Sequence, residues 1–377
     1  MKLVYCTSIA FSNKLANLVQ VHAMAKEFQK KLGKDFYLRV NYKNIDDENI
    51  QFLCFNTNKS YILAWRYLRF IREKNIDYIY CREARLLFFI IIFNKLFIRR
   101  KINVTYEIHA LPLGGLLSKL IESLLVKGVD NFIFITGNLR DIYVKKYRCL
   151  LKRTLIASDA VDLSIFNIDI SKQEARKKLG LPQDPKKLPD GNYGAGKKIL
   201  GYMGRFKTMG MDKGIDDILK VLAILSDNIL FIAVGGKSTD IKEYEIRARE
   251  LGVERKVRFF GNVEQGVLAT YQKACDLLLM PFPHNQHYAY YMSPLKMFEY
   301  MASKRPIIAT DLPSIREVLS EKNAIIVKPG DPSDLANGIK KILEDKELAE
   351  QISQQAFRDV DNYTWEKRVE SILDFIR

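Results

Sequence analysis

A chain of 377 residues is long enough for about two domains, each with a buried core of its own. Hydrophobic residues make up 48% of the chain and charged residues 28%, which fits a soluble globular enzyme. The five cysteines have neither paired spacing nor metal-ligand clustering. This excludes a disulfide framework and predicts reduced core thiols in a cytoplasmic protein.

Positive charge is concentrated in the first part of the chain. Residues 1–170 hold 27 Lys and Arg against 15 Asp and Glu, a net charge of +12, which leaves +4 of the total +16 for the remainder. A basic half predicts an anionic partner, and a phospholipid surface, a lipid-linked diphosphate and a nucleic acid all remain open. The alternative is a generally lysine-rich protein in which the bias serves solubility.

The first half alternates apolar strand-like runs with periodic helix-like segments, the pattern of a doubly wound α/β domain. The predicted strands are residues 3–7, 36–40, 78–80, 102–106, 131–135 and 154–157. The predicted helices are residues 13–31, 61–73, 83–97, 116–126 and 139–147. Because residues 1–8 resemble a first strand, we expect no secretory signal.

One apolar run, residues 86–93 continued by 96–98, is closed by the cations Arg99, Arg100 and Lys101. A helix needs about 20 apolar residues to cross a bilayer, so this run is too short to span one. We expect a buried core helix. The alternative is a helix that lies in the membrane interface with its cationic end at the lipid headgroups.

A glycine-rich segment, GYMGRFKTMGMDKG, occupies residues 201–214 between a predicted strand and a predicted helix. Gly204 ends the strand, Arg205 follows it, and Lys213 stands at the helix start. Ligands of parallel sheets bind beyond the carboxyl ends of the strands, so both cations are expected over one anion-binding crevice. Strands are predicted in this half at residues 198–202, 229–236, 257–261, 276–282 and 307–310.

A second anion-binding element is predicted at Ser293, as the N-cap of a helix with Pro294 at its first position. The NH groups of Leu295 and Lys296 would point into the same crevice with the helix dipole behind them, which suits a diphosphate. Glu299 lies one turn further, about 4.5 Å along the axis, where its carboxylate can accept hydrogen bonds from a ribose diol.

This last stretch resembles the donor site of the retaining GT-B glycosyltransferases known as family 4, or glycosyl transferases group 1. The matching residues are Glu299, Tyr300, Met301, Ala302 and Pro306. The resemblance implies two Rossmann-like doubly wound domains facing across a cleft, with a C-terminal helix that crosses back to the first. The expected N-terminal, acceptor-side domain is residues 1–168 plus 358–377, and the expected nucleotide-sugar domain is residues 169–357.

Family members carry two glutamates separated by seven residues, and Tyr291 stands where the first would be. We interpret this departure as an altered sugar contact, so the sugar's identity stays open. The loop before the helix offers His284 and His287 as further sugar contacts. Two histidines three apart can also ligate a metal, but no third ligand is near in sequence.

The resemblance assigns roles to the other motifs. The pair Gly204 and Arg205, together with Lys213, would hold the donor diphosphate and stabilise the leaving group. Lys207 could compete for that role, because the spacing from Arg205 to Lys213 is longer than usual. The backbone around Val263 would contact the nucleotide base. His109, in a Glu-x-His motif at a strand end, would reach the reacting sugar.

The activity implied is transfer of a sugar, with retained configuration, from a UDP- or GDP-sugar to a glycan or lipid-linked acceptor. The expected setting is cell-envelope polysaccharide or glycolipid synthesis, at the inner face of the cell membrane and in peripheral contact with anionic lipid. No Asp-x-Asp stands near the site, so no metal and no other cofactor is expected.

Three alternatives remain. A nucleotide-sugar epimerase of the same fold would interconvert donors without an acceptor. A non-catalytic basic protein would bind nucleic acid or membrane, although no nucleic-acid-binding motif is present, and we expect no nucleic acid. A silent subunit of a larger complex would account for Tyr291.

Overall fold

The computed structural model describes residues 1–7, 16–40, 50–54, 57, 59–111, 115–149, 151–184 and 196–377, and of residues 16–18, 40 and 52–54 only the backbone. The chain forms two compact units, Met1–Asp159 with Trp365–Arg377, and Ala160–Thr364. The functional boundaries expected at residues 168 and 358 stay a prediction. The start of the first helix, predicted at residue 13, lies outside the described residues.

The first unit contains a seven-stranded sheet in which every strand pair is parallel. Its strands are β1 (Leu3–Cys6), β2 (Phe36–Val40), β3 (Phe52–Cys54), β4 (Tyr78–Cys81), β5 (Asn103–Ile108), β6 (Asn131–Phe134) and β7 (Thr154–Ile156). The strand order is β3-β2-β1-β4-β5-β6-β7, so the winding reverses between β1 and β4. The four residues of β1 are fully buried, as expected for a parallel strand covered on both faces.

The helices of the first unit are α1 (Ala16–Leu32), α2 (Ser60–Lys74), α3 (Ala84–Phe93), α4 (Leu116–Gly128), α5 (Gly137–Tyr147) and the C-terminal helix (Trp365–Ile376). The C-terminal helix packs against α1, so the predicted return of the chain end to the first domain is confirmed. Helix α3 buries Leu86, Leu87 and Ile90 and is therefore a core helix. It passes into a π-helical turn, Asn94–Ile98. No helix in the described part of the chain is long and apolar enough to cross a membrane.

The second unit contains a six-stranded parallel sheet and a two-stranded antiparallel hairpin. Its strands are β8 (Lys198–Met203), β9 (Lys207–Thr208), β10 (Met211–Asp212), β11 (Ile229–Val234), β12 (Val257–Phe260), β13 (Leu277–Met280), β14 (Ile307–Thr310) and β15 (Ile325–Val327). The sheet order is β12-β11-β8-β13-β14-β15, and β9 pairs with β10 to form the hairpin. All six residues of β11 are buried. Two doubly wound α/β domains were predicted, and this prediction is confirmed.

The helices of the second unit are α6 (Leu163–Phe166), α7 (Lys172–Lys178), α8 (Ile215–Ile224), α9 (Ser238–Glu250), α10 (Gln265–Ala274), α11 (Gln286–Tyr290), α12 (Leu295–Ala302), α13 (Pro313–Arg316), α14 (Pro332–Glu344) and α15 (Lys346–Val360). From β8 the chain winds outward through β11 and β12, then returns to the other side of β8 through β13. The carboxyl ends of β8 and β13 therefore flank a topological switch point, where sheets of this class bind ligands.

Candidate active site

The backbone leaving β8 comes unusually close to the backbone leaving β11. Gly204 and Gly235 both have a positive φ, of 110° and 112°. A Cβ on Gly235 would lie 2.8 Å from the carbonyl carbon and oxygen of Gly204, so only glycine fits at 235. The NH of Gly204 donates to the carbonyl of Val234 at 2.7 Å. This tight pair leaves the carboxyl end of β8 free of bulky side chains.

Helix α12 begins one residue later than predicted. Pro294 is its N-cap, in an extended conformation and without a side-chain cap, and its carbonyl accepts the first bond, from Met297 NH at 2.9 Å. The assignment of Ser293 as N-cap and of Pro294 as first helical residue was therefore wrong. The physical reason is that an X-Pro bond keeps Ser293 extended, so helical backbone starts only after the proline. The NH groups of Leu295 and Lys296 still have no acceptor within the helix.

Lys296 is a buried lysine whose amine forms no ion pair within the described residues. Its side chain is 7% exposed, and its Nζ has no hydrogen-bond partner among the described residues. The Nζ lies 3.4 Å from the ring centroid of Tyr202 and 5.2 Å from that of Phe282, an arrangement in which ring faces attract the charge. Burial lowers the pKa of Lys296 well below its usual value, and the charge of Lys213 lowers it further.

Lys213 interacts electrostatically with both Arg205 and Lys296. Burial, and then the positive charge of Arg205, lower the pKa of Lys213 to about 8. Its Nζ lies 6.0 Å from the Phe282 ring centroid, on a ring that Lys296 also approaches. None of the three cations forms an ion pair with a carboxylate in the described part of the chain. Lys213 thus interacts with both other predicted cations, and the carboxyl groups of Glu299 and Asp212 act on Lys296 without forming an ion pair with it.

Lys207, which the sequence left open as an alternative ligand of the diphosphate, forms an ion pair with Glu243 instead. Its Nζ donates to both carboxylate oxygens of Glu243 at 2.6 Å and lies 5.5 Å from the Tyr244 ring centroid. The hairpin β9–β10, which the sequence did not reveal, turns Lys207 toward α9 and returns the chain to Lys213. The long spacing between Arg205 and Lys213 is therefore taken up by this hairpin.

Gly214 holds Lys213 in place. It has a φ of +92°, and its NH donates to Asp212, whose other carboxylate oxygen accepts from the Tyr244 hydroxyl. A Cβ on Gly214 would lie 1.8 Å from the carbonyl oxygen of Pro281, which follows β13. The start of α8 is thus pressed against the loop beyond β13 by a contact that tolerates no side chain.

Gly214→Ala is expected to lower the free energy of unfolding by about 2–4 kcal/mol, since it adds overpacking to a left-handed φ. The Tm should fall by roughly 5–10 °C, and binding of nucleoside diphosphate should weaken. Gly210→Ala is the matched control, because Gly210 also has a positive φ (77°) but nothing lies within 4 Å of its Cβ position. Equal melting temperatures of the two variants would contradict the contact with Pro281.

Glu299 follows Lys296 by three residues. Burial raises the pKa of Glu299 to about 7, and the charge of Lys296 opposes this rise. The next residue, Tyr300, is fully buried and accepts a hydrogen bond from the NH of Met203 at 2.7 Å. This bond connects α12 to the end of β8 and so sets the position of Glu299 relative to the switch point.

The loop between β13 and α12 carries the candidate sugar contacts. His287 lies in the short helix α11, and burial together with the charge of Lys213 lowers its pKa. Tyr291 is 8% exposed, and its hydroxyl is buried with no hydrogen-bond partner in the described ranges. His284 is exposed. His287 therefore lies close enough to Lys213 for its pKa to be affected, and the Tyr291 hydroxyl is available for a ligand. No comparable interaction involves His284 among the described residues.

Val263 lies beyond the carboxyl end of β12 and is 37% exposed. The loop that contains it is tied to the glycine pair, because Gly235 NH donates to the carbonyls of Phe260 and Gly261 at 3.0 and 3.1 Å. Val263 is therefore at the edge of the sheet that carries the cations. Its contact with a nucleotide base stays a prediction.

His109 belongs to the first unit, just past the end of β5. Its Nε2 lies 3.2 Å from a carboxylate oxygen of Glu107, which is fully buried. Burial, reinforced by the charge of Arg82, lowers the pKa of His109 to about 4, so the imidazole is neutral at physiological pH. Glu107 also pairs with Arg368 of the C-terminal helix. The role of His109 at a sugar stays a prediction.

Sequence reasoning missed several residues that shape the site. Tyr202 and Phe282 supply the ring faces around Lys296, and Gly235 supplies the close backbone approach. A glycine directly after a fully apolar strand was a usable signal for Gly235. The aromatic residues had no comparable signal, since ring positions in a core are common. In the described residues, no group of three or more His, Cys, Asp or Glu is placed to hold a metal.

The free protein should bind nucleoside diphosphate more weakly as pH rises through about 8, because Lys213 then loses its charge. A bound diphosphate favours the charged form and raises that pKa, so binding near pH 8 should take up protons. Calorimetry in two buffers of different ionisation enthalpy measures the uptake, with Lys213→Met as the control that should reduce it. Binding without proton uptake in the parent protein would contradict this assignment.

Comparison with known proteins bears on these residues. A family model described as "Glycosyl transferases group 1" matches residues 183–359. The D-inositol 3-phosphate glycosyltransferase of Xylanimonas cellulosilytica is 24% identical over 262 residues, which is 67% of this chain and 58% of that protein. The alignments with eight curated relatives, seven of which have this name, span 48–58% of the relatives' own length.

Solved structures match over nearly the whole chain. A glycosyltransferase from Rickettsia africae aligns with a TM-score of 0.81 and 15% identity, covering 100% of this chain and 97% of that one. Anabaena HepE in complex with UDP-glucose aligns with a TM-score of 0.72 and 18% identity, covering 99% of each chain. Likeness at this level of identity establishes the fold. Residues 183–359 therefore match the glycosyl transferases group 1 family, and the chain as a whole has the GT-B fold.

Proposed function

We propose that the chain is a retaining glycosyltransferase of the family 4 type that moves a sugar from a UDP- or GDP-sugar to a glycan or lipid-linked acceptor. The observation that carries this proposal is the convergence of Arg205, Lys213 and Lys296, unpaired, beside the first turn of α12. Like charges held together without direct ion pairs raise the free energy of the empty site. A diphosphate relieves that repulsion, which makes it the natural occupant.

The chemistry follows from the same cations. Glycosyl transfer breaks the bond between the anomeric carbon and the diphosphate oxygen, through an oxocarbenium-like state in which negative charge develops on the diphosphate. Arg205, Lys213 and the NH groups of Leu295 and Lys296 are preorganised for that charge, and such electrostatic stabilisation is usually the largest catalytic contribution. Glu299 would accept hydrogen bonds from the ribose diol.

The remaining assignments belong to the same proposal. His109 would contact the reacting sugar as a neutral imidazole, consistent with its low pKa. His287 and Tyr291 are better supported as sugar contacts than His284, because Lys213 acts on His287 and the Tyr291 hydroxyl has no described partner. Anabaena HepE, a structural neighbour, has been solved with UDP-glucose, which favours a uridine donor as the first to test.

The proposed setting is cell-envelope polysaccharide or glycolipid synthesis. A lipid-linked acceptor would account for the charge of +12 on residues 1–170, since both the acceptor's phosphates and the membrane that holds it are anionic. Peripheral association at the inner face of a membrane would bring the enzyme to that acceptor.

A thermal-shift screen tests the proposed function directly. Uridine, guanosine and adenosine diphosphates and their sugars are compared with the matching monophosphates, because a ligand of the native state raises the Tm by mass action. We expect one diphosphate series to raise the Tm well above its monophosphate. Incubation of the stabilising sugar nucleotide with glycan or lipid acceptors then separates a transferase from an epimerase by its product. No stabilisation by any diphosphate would overturn the proposal.

Activity is expected to persist in excess chelator, because three cations and a helix start already supply the positive charge that a metal would bring. Turnover should change by less than about twofold on addition of EDTA. The control is a metal-dependent glycosyltransferase assayed in parallel. Strict dependence on Mg²⁺ or Mn²⁺ would contradict the assignment of diphosphate binding to these side chains alone.

A further inference from the structure

The first unit exposes large apolar side chains on three neighbouring helices. Of the thirteen large hydrophobic side chains that are exposed in the described residues, eight lie on α2, on the π-helical turn after α3, or on α4. The most exposed of these eight are Leu116 (88%), Leu117 (64%) and Phe97 (62%). Such residues scattered singly need no explanation, but a cluster marks an interaction surface. We call α2, α3 with its π turn, and α4 the helical face.

The helical face is continuous. Helices α2, α3 and α4 pack side by side, on the face of the sheet that right-handed crossovers toward β4, β5 and β6 would cover. The Trp65 ring centroid lies 6.2 Å from that of Phe93 and 5.7 Å from that of Phe97. At the other side, α4 meets α3 closely, since a Cβ on Gly128 would lie 2.8 Å from Ile91.

The charges around this apolar surface that form no ion pair are positive, while Glu73 of α2 pairs with Arg69 and Asp77 pairs with Arg100. Lys95, Arg99 and Lys101 at the end of α3 and Lys119 on α4 form no ion pair in the described part of the chain. Residues 84–106 contain no Asp or Glu at all. The single carboxylate of α4, Glu122, is buried and accepts a hydrogen bond from the Tyr143 hydroxyl at 2.6 Å. An exposed apolar surface with cations and no free carboxylate complements an anionic surface.

The same charges argue against a second copy of the chain as the occupant. A two-fold interface places the same patch on both partners, so the cations of the helical face would approach one another. Leucine and aromatic side chains bordered by Lys and Arg are instead the composition that lies at the boundary of lipid headgroups and acyl chains. The cluster therefore fits an anionic bilayer.

We propose that the helical face docks on an anionic lipid bilayer, with Phe97 and the leucines of α4 entering the headgroup region. Helix α4 starts seven residues after His109, at the edge of the sheet where β5 ends. A bilayer on this face would therefore lie beside His109 and present lipid-linked acceptors there. This inference names the surface for the proposed peripheral association, and vesicle binding itself does not depend on sugar transfer.

Vesicle co-sedimentation tests the proposal, with phosphatidylglycerol in phosphatidylcholine compared with phosphatidylcholine alone. The double variant Leu117→Glu with Leu120→Glu should lower affinity for the anionic vesicles at least roughly tenfold. Its matched control is Ile224→Glu with Ile246→Glu, two exposed hydrophobic positions of the second unit (58% and 51% exposed), which should bind like the parent. UDP-induced stabilisation should be the same in all three proteins, which separates this proposal from the donor site.

Tryptophan fluorescence gives a second readout, because the chain has only two tryptophans and only Trp65 is exposed (49%, against 5% for Trp365). Anionic vesicles should shift the parent's emission to shorter wavelength, and Trp65→Phe should remove the shift. Equal binding to neutral and anionic vesicles, or unchanged binding of the leucine variant, would overturn the proposal. So would a dimer without vesicle affinity that the leucine variant converts to a monomer.

Discussion

Lys213→Met is expected to reduce sugar transfer by about 10²–10³-fold while leaving the Tm unchanged or slightly higher. The loss corresponds to about 3–4 kcal/mol of transition-state stabilisation, the usual worth of one preorganised group at a developing negative charge. The stability effect has the opposite sign because Lys213 is partly buried among cations. Removing its charge relieves both desolvation and repulsion by Arg205 and Lys296.

Two measurements check this trade-off. Turnover of the donor identified by screening gives the catalytic effect, and thermal melting without ligand gives the stability effect. Lys207→Met is the matched control: it removes a lysine from the hairpin, but one that is paired with Glu243, so activity should stay within about threefold. A Lys213→Met protein that keeps parental turnover would show that the diphosphate binds elsewhere.

Arg368→Met is expected to lower the free energy of unfolding by about 3–5 kcal/mol, the largest stability effect we predict. Arg368 is 6% exposed and bonds to the fully buried Glu107, and it also donates to the carbonyls of Ala157 and Ser158. The variant leaves Glu107 ionised in the core without its main partner. The C-terminal helix loses the ion pair that joins it to β5.

The pH dependence of this loss has a definite sign. In the parent, burial raises the pKa of Glu107, but Arg368, His109 and Arg82 together outweigh burial and hold that pKa well below its usual value. The interaction with Arg368 therefore stabilises the fold above the unfolded-state pKa of about 4.3. That contribution is lost as pH falls through the lowered folded pKa. In Arg368→Met burial instead raises the pKa of Glu107, so the difference in stability should shrink as pH falls below about 5.

A double variant distinguishes the buried charge from a general packing defect. Arg368→Met combined with Glu107→Gln should recover at least about half of the lost free energy, since no charge then remains unpaired. Lys31→Met is the surface control: its partners Glu366 and Glu370 are 62% and 46% exposed, so the cost should stay below about 1 kcal/mol. A single variant as stable as the parent, measured by denaturant unfolding, would contradict the structural role of Arg368.

The fold was largely predictable because parallel strands are buried on both faces and appear in sequence as short apolar runs. The runs at β2 and β14 are predicted with the bounds that the structure has. The hairpin β9–β10 was not predictable by this signal, since its two-residue strands are Lys207–Thr208 and Met211–Asp212. The strand β3, three residues long, was missed for the same reason.

The site was predictable where its chemistry depends on one short segment of sequence. It was not predictable where the chemistry depends on contacts with residues far away in the chain. Glycine, Arg205 and Lys213 after a strand, and a helix start at Lys296, are features of one segment each. That Lys207 pairs with Glu243, and that Lys296 packs on the Tyr202 ring, depends on α9 and β8, which lie far away in sequence. The error at Ser293 was of a different kind: a serine before a proline fits an N-cap, but here the proline takes that position.

The most direct measurement is a crystal structure of the chain with the nucleoside diphosphate that stabilises it most. We expect diphosphate oxygens within about 3.2 Å of the Lys213 Nζ and of the NH groups of Leu295 and Lys296, with Arg205 turned toward the same group. A diphosphate bound away from the carboxyl ends of β8 and β13, or one that contacts none of these three cations, would contradict it.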